Sequence, residues 1–200
     1  MITFYHSPNS RSTSVLALLH ALGALDKVTI RPVTIRRQDG SGGHDPANPH
    51  PEGKVPYLTM GDDWLRERGA IFTYLTEAFP EAGLAPLPGQ PRRGQFLSWM
   101  AFYQGVVEPV LVGQIVGVNH PAWNATFRGP GEIAAALAAA LDHQPYLLGA
   151  EWSAADLLLA SPFLWFPAFT PEVPVIRDWV ARCGAHPSVL WAKAEDARSL

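Results

Sequence analysis

"NPHPEGKVPYL", residues 48 to 58, is the stretch on which the fold turns. It sets a basic residue, Lys54, and a Val55-Pro56 step directly ahead of Tyr57 to Met60, which reads as a strand. Proline has no N–H and is poorly tolerated inside a sheet, so Val-Pro at a strand entrance suggests a kinked or cis peptide. The plainer reading is a loop that happens to end in proline. Local sequence leaves both open.

Upstream of this stretch, strands and helices alternate. Ile2 to Tyr5 is a short apolar run, followed by turn chemistry at Ser7-Pro8-Asn9. From Ser12 the positions Val15, Leu16, Leu18, Leu19 and Leu22 fall on one helical stripe, with Gly23 placed as a C-terminal cap. Val28 to Ile35 is rich in β-branched residues and reads as a second strand, and the polar segment Arg36 to His50 follows. Downstream, Tyr57–Met60 and Trp64–Arg66 flank Gly61-Asp62-Asp63 as a hairpin, and Glu67 to Ala78 shows helical spacing at Ile71, Tyr74 and Leu75. The order β-α-β, loose segment, β-β-α predicts a four-stranded mixed sheet with helices packed on it, because the first unit needs a crossover.

Phe79 to Pro91, with four prolines and two glycines, reads as a linker between a domain over 1–78 and another over 92–200. Beyond it strand signals vanish. The pattern predicts helices over Arg92–Val118, kinked at Pro109, and over Gly131–His143, Ser153–Leu164, Val175–Cys183 and Pro187–Arg198.

The composition, 48% hydrophobic and 16% charged, is that of a folded protein with a substantial core. A net charge of −3 gives no electrostatic reason to expect nucleic acid or an anionic membrane. The first residues lack the pattern of a secretory signal, no apolar run would cross a bilayer, and the lone Cys183 cannot close an internal disulfide, so a cytoplasmic setting is expected. The scattered histidines have no zinc-site spacing, and no metal is expected.

Several motifs could carry chemistry. Ser153-Ala-Ala-Asp156 ahead of Leu157-Leu158-Leu159 has the spacing of a capping box, which engages both side chains at a helix start. Ser7, Ser10 and Ser12 lie in the turn before the first helix, where amides and the helix dipole favour an anion; ordinary N-capping by one of them is the simpler role. Glu67 and Arg68 open another helix, where they could hold the ammonium and carboxylate ends of a ligand, or serve only the helix dipole.

Taken together and in order, the serine turn, "GKVPYL", "ERGAIFTYL" and the helical half containing "SAADL" resemble the cytosolic glutathione transferases over nearly the whole chain. The resemblance implies an α/β thioredoxin-like N-terminal domain followed by an all-α helical domain, with Val55-Pro56 as a cis step. It implies that the Val55 main chain pairs with the cysteinyl backbone of glutathione, and that Glu67 and Arg68 lie at its γ-glutamyl end. Many members have serine where this chain has Arg68. Lys54 is a candidate partner for a carboxylate of the tripeptide. Bacterial members that use cysteine would place it near Arg11, where this sequence has none, so a serine-type site is expected, with Ser10 as first candidate and Ser12 and Ser7 as alternates. Tyr5 lies close to the position used by tyrosine-type members but resembles the ordinary aromatic before the turn. The implied activity joins the glutathione thiolate to a small electrophile held between the domains against Tyr103, Val107 and Glu108, in a homodimer. A peroxidase, dehalogenase, isomerase or non-catalytic binding protein on the same scaffold is the alternative.

Overall fold

Residues 1–198 are described by the computed structural model. Its first element, β1 (Ile2–His6), pairs in parallel with β2 (Val28–Pro32) across α1 (Thr13–Ala21). On its other side β1 pairs antiparallel with β3 (Tyr57–Met60), which forms the expected hairpin with β4 (Asp63–Leu65). The result is a mixed four-stranded sheet in the order β2-β1-β3-β4. β2 stops at Pro32, short of the expected Ile35, because its partner β1 ends at His6, the residue opposite Pro32. α2 (Arg68–Ala78) follows β4. Phe4, Leu18, Leu19, Leu58, Ile71, Phe72 and Leu75 are wholly buried, so strand and helix stripes read from the sequence meet in one core.

The helical part begins with α3 (Arg93–Phe102) and α4 (Glu108–Ile115), joined by a π-helical segment, Tyr103–Val107. The single helix expected over Arg92–Val118 is therefore interrupted. Pro109 explains it: a proline cannot donate to the carbonyl four residues back, and the ladder widens ahead of it, with the Glu108 N–H bonded to Tyr103 O. α5 (Pro121–Phe127), unforeseen from the sequence, starts at a His120 cap whose side chain accepts from the Ala122 N–H. α6 (Pro130–Leu141), α7 (Ala154–Trp165) and α8 (Pro174–Gly184) complete this unit around Phe96, Tyr103, Val107, Leu137, Leu158 and Trp179. The capping box at the start of α7 is present. Asp156 Oδ2 accepts from the Ser153 N–H (3.0 Å) and hydroxyl (2.6 Å), while Oδ1 accepts from Leu147 N–H (2.8 Å) and Trp179 Nε1 (2.9 Å).

The last helix, α9 (Pro187–Arg198), differs from the expected division of the chain. It packs on α1, so the compact units are residues 1–82 with the chain from Pro187 onward, and Gly83–His186. His20 on α1 stacks on Trp191 (centroids 4.5 Å apart) and its Nδ1 lies 2.9 Å from Ser188 Oγ. These are long-range partners that a periodicity pattern does not encode.

Candidate functional site

Sheet register gathers three loops at one edge. Tyr5 pairs with Tyr57, so the Ser7–Ser12 turn leaves β1 beside the Val55-Pro56 step that leads into β3. Leu58 pairs with Leu65, so the chain leaving β4 reaches Glu67 at the same end. The Val33 N–H donates to His6 O (2.8 Å), which brings the end of β2 there as well.

The turn serines form one buried network. Ser10 Oγ donates to Ser7 O (2.7 Å), accepts from the Ser12 N–H (3.1 Å) and lies 2.7 Å from Ser12 Oγ. Ser12 is wholly buried; its Oγ accepts from the Ser7 N–H (3.1 Å) and lies 2.7 Å from His6 Nδ1 and 3.1 Å from Ser7 O. It occupies the N-cap position of α1 but makes no side-chain cap bond, unlike the ordinary cap the sequence allowed. Ser7 Oγ accepts from Arg37 Nη2 (3.3 Å) and, among the described residues, gives its proton to none. The same guanidinium donates to Pro8 O (2.7 Å) and Asn9 O (3.1 Å), tying the loop after β2 to the turn.

Asp196 on α9 reaches the same turn. Its Oδ1 is 3.0 Å from His6 Nε2, and its Oδ2 accepts from the Asn9 N–H (2.7 Å) and the Thr13 hydroxyl. Burial alone would push the Asp196 carboxyl up, but the hydrogen bonds from His6, Thr13 and Asn9 outweigh it and hold it below its ordinary value. His6, Arg37 and Asp196 were not among the residues picked out by sequence reasoning. No local motif marks Asp196, because its partners are a whole chain length away.

The stretch 48–58 is pinned by its own side chains. Asn48 Nδ2 donates to Lys54 O (3.2 Å), Asn48 Oδ1 accepts from the His50 N–H (3.1 Å), and His50 Nδ1 accepts from the Glu52 N–H (3.0 Å). Burial pushes the His50 imidazole below its ordinary value, in keeping with that acceptor role. The Val55-Pro56 peptide is cis, and the main-chain groups of Val55 make no hydrogen bond among the described residues. Lys54 is exposed and ion-paired with Glu52, which also meets Arg66 (3.3 Å). Glu67 has φ +70° and ψ 122°, a conformation that side-chain-bearing residues rarely adopt and that strains the start of α2. Arg68 is buried, and its Nη1 donates to Ser14 Oγ on α1 (3.4 Å), so its side chain is directed to the protein interior.

The residues expected against a second substrate fare differently. Tyr103 and Val107 are 1% and 0% exposed, core residues of the helical unit, and Glu108 is half-buried at the start of α4. Cys183 is buried, and that burial pushes its thiol far above its ordinary value, which leaves no reactive thiolate. Among the described residues no cluster of side chains is arranged to hold a metal ion, and no helix is long and apolar enough to cross a membrane.

Residues 1–83 match the family model described as "Glutathione S-transferase, N-terminal domain". Among curated proteins none matches the chain in sequence. Solved structures similar to it include a glutathione transferase from Methylococcus capsulatus (24% identity, TM-score 0.79, covering 99% of this chain and 100% of that one). A sphingomonad glutathione S-transferase complexed with glutathione matches at 24% identity and TM-score 0.76 over 98% of each chain. The bacterial transferase BphK, solved as a ternary complex, matches at 24% identity and TM-score 0.78 over 98% of this chain and 99% of that one. The chain has the glutathione transferase fold, a thioredoxin-like sheet domain with a helical region, and its first 83 residues are similar to the N-terminal domain of the glutathione S-transferase family.

Proposed function

We propose that the protein is a glutathione transferase that joins the glutathione thiolate to a small, hydrophobic electrophile. The observation that carries this reading is the convergence, at one end of the sheet, of the serine turn, the positive-φ Glu67 and a Val55 main chain that has no hydrogen-bond partner among the described residues. An extended cysteinyl backbone would add to Val55 as a short antiparallel strand. Glu67 would meet the ammonium of the γ-glutamyl end, and Arg68 would contribute its main-chain amide, because its side chain points to Ser14. A tripeptide carboxylate would draw Lys54 from Glu52, since an exposed pair of that kind holds only ~0–1 kcal/mol.

A free thiol of pKa about 8.5 is only a few per cent ionised at neutral pH. Lowering that value by ~2 units takes roughly 2.7 kcal/mol of preference for the thiolate. One hydroxyl bond to an anion supplies ~1.5–3 kcal/mol and the start of α1 adds ~0.5–1, so no metal is required. Ser10 would provide that bond by turning from the Ser7 carbonyl to the sulfur, with Ser7 as the alternate, since Ser12 is wholly buried. The working form would be a two-fold homodimer, with a solution mass twice that of the chain.

Retention on immobilised glutathione together with conjugation of an aryl halide tests the reading. Retention without conjugation would instead make the protein a glutathione-binding scaffold. Failure of both removes glutathione altogether.

A further inference from the structure

Asp196, His6 and Ser12 form a continuous hydrogen-bonded line from the last helix to the turn before α1, with separations of 3.0 Å and 2.7 Å. We propose that Asp196, acting through His6, fixes the direction in which the Ser12 hydroxyl donates, and so sets the donor arrangement of the serine turn. The catalytic consequence rests on the function proposed above; the proton direction does not.

A carboxylate only accepts hydrogen bonds. With Oδ1 facing Nε2, a neutral His6 carries its proton on Nε2, and Nδ1 is left with a lone pair. Ser12 Oγ is the group facing that lone pair, so the serine is the donor. Its oxygen can then receive the Ser7 N–H, and the Ser10 hydroxyl is left as the donor to its two neighbours at 2.7 Å, Ser12 Oγ and the Ser7 carbonyl. Through this order Asp196 governs a serine it does not touch. The line has the residue types of a nucleophile triad, but the Ser12 side chain is wholly buried and hydrogen-bonded, so no substrate carbonyl can reach it. Asp196 and His6 are positioning residues. The second carboxylate oxygen strengthens the assignment: its bonds to the Asn9 N–H and the Thr13 hydroxyl fix Asp196 against the middle of the turn and the first residue of α1.

The test is nitrogen NMR of the histidine-labelled full chain near neutral pH. The expected result is a His6 ring protonated at Nε2 and bare at Nδ1; protonation at Nδ1 in the unaltered protein overturns the proposal, and this measurement needs no variant. In Asp196→Asn, the amide oxygen can keep the Asn9 and Thr13 bonds while the NH2 faces Nε2, so the ring should switch to the Nδ1–H form. With an aryl halide, kcat should fall about tenfold with KM for glutathione within about twofold, the size of one misdirected hydrogen bond. Glu195→Gln, on the neighbouring position of α9, should change neither quantity. A tautomer indifferent to Asp196→Asn, or an unchanged kcat after the switch, overturns the positioning role. If the unaltered chain neither binds nor conjugates glutathione, the functional reading falls, while the tautomer still decides the proton direction.

Discussion

At the scale of single residues, the serine turn shows how far a motif can be read. "SPNSRS" announced hydroxyls at a helix start, but the partners of each hydroxyl come from elsewhere in the chain: Arg37 for Ser7 and His6 for Ser12. Ser10→Ala should lower kcat/KM for aryl halide conjugation by about 10- to 100-fold, the range spanned by one hydrogen bond to a charged sulfur. Ser7→Ala should stay within about twofold; steady-state kinetics of the two variants side by side check the assignment, and the reverse order would transfer the role to Ser7, whose proton has no acceptor among the described residues. Asp156 illustrates the opposite case, a side chain whose structural role was plain from spacing. Asp156→Ala would strand buried donors from Ser153, Leu147 and Trp179, and should cost about 3–5 kcal/mol in urea denaturation.

Between elements, the contact of α9 with α1 and with the turn of β1 decides more than any local propensity. Asp196 supplies a stability term whose pH dependence follows from its lowered carboxyl. A group ionised more readily in the fold than in the unfolded chain stabilises above its unfolded pKa of about 3.9 and loses that contribution as pH falls through the lower, folded value. Asp196→Asn removes the titration. Its loss of stability relative to the unaltered protein should therefore be full at neutral pH and shrink below about pH 4, as paired denaturation curves across pH would show. A constant difference down to strong acid would mean that Asp196 is not ionised in the fold. The interrupted helix around Pro109 has a similar lesson: proline marked the place, but whether the chain would kink, stop or widen into a π-helical segment depended on its packing around Tyr103 and Val107.

Over the whole molecule, the chain leaves the sheet unit after Ala82 and returns to it at Pro187. The N-terminal piece is therefore incomplete without the last helix. Residues 1–82 expressed alone should lack cooperative thermal unfolding, and adding a peptide of residues 187–200 should restore it; circular dichroism follows both. A cooperative transition in the short fragment by itself would show that α9 is dispensable to the sheet. The match of the family model to residues 1–83 covers this unit but not its closing helix.

The alternation of apolar positions, the Val-Pro step and the prolines of the linker were enough to set out a four-stranded mixed sheet followed by helices, because these features act over a few neighbouring residues. Glu67's left-handed backbone, the burial of Tyr103 and Val107, and the line from Asp196 through His6 to Ser12 were settled only by the folded chain. A hydrogen bond between residues 190 positions apart leaves no period or spacing in the sequence. It exists because packing α9 on α1 removes both groups from water, and buried polar groups are held to the partners that packing supplies.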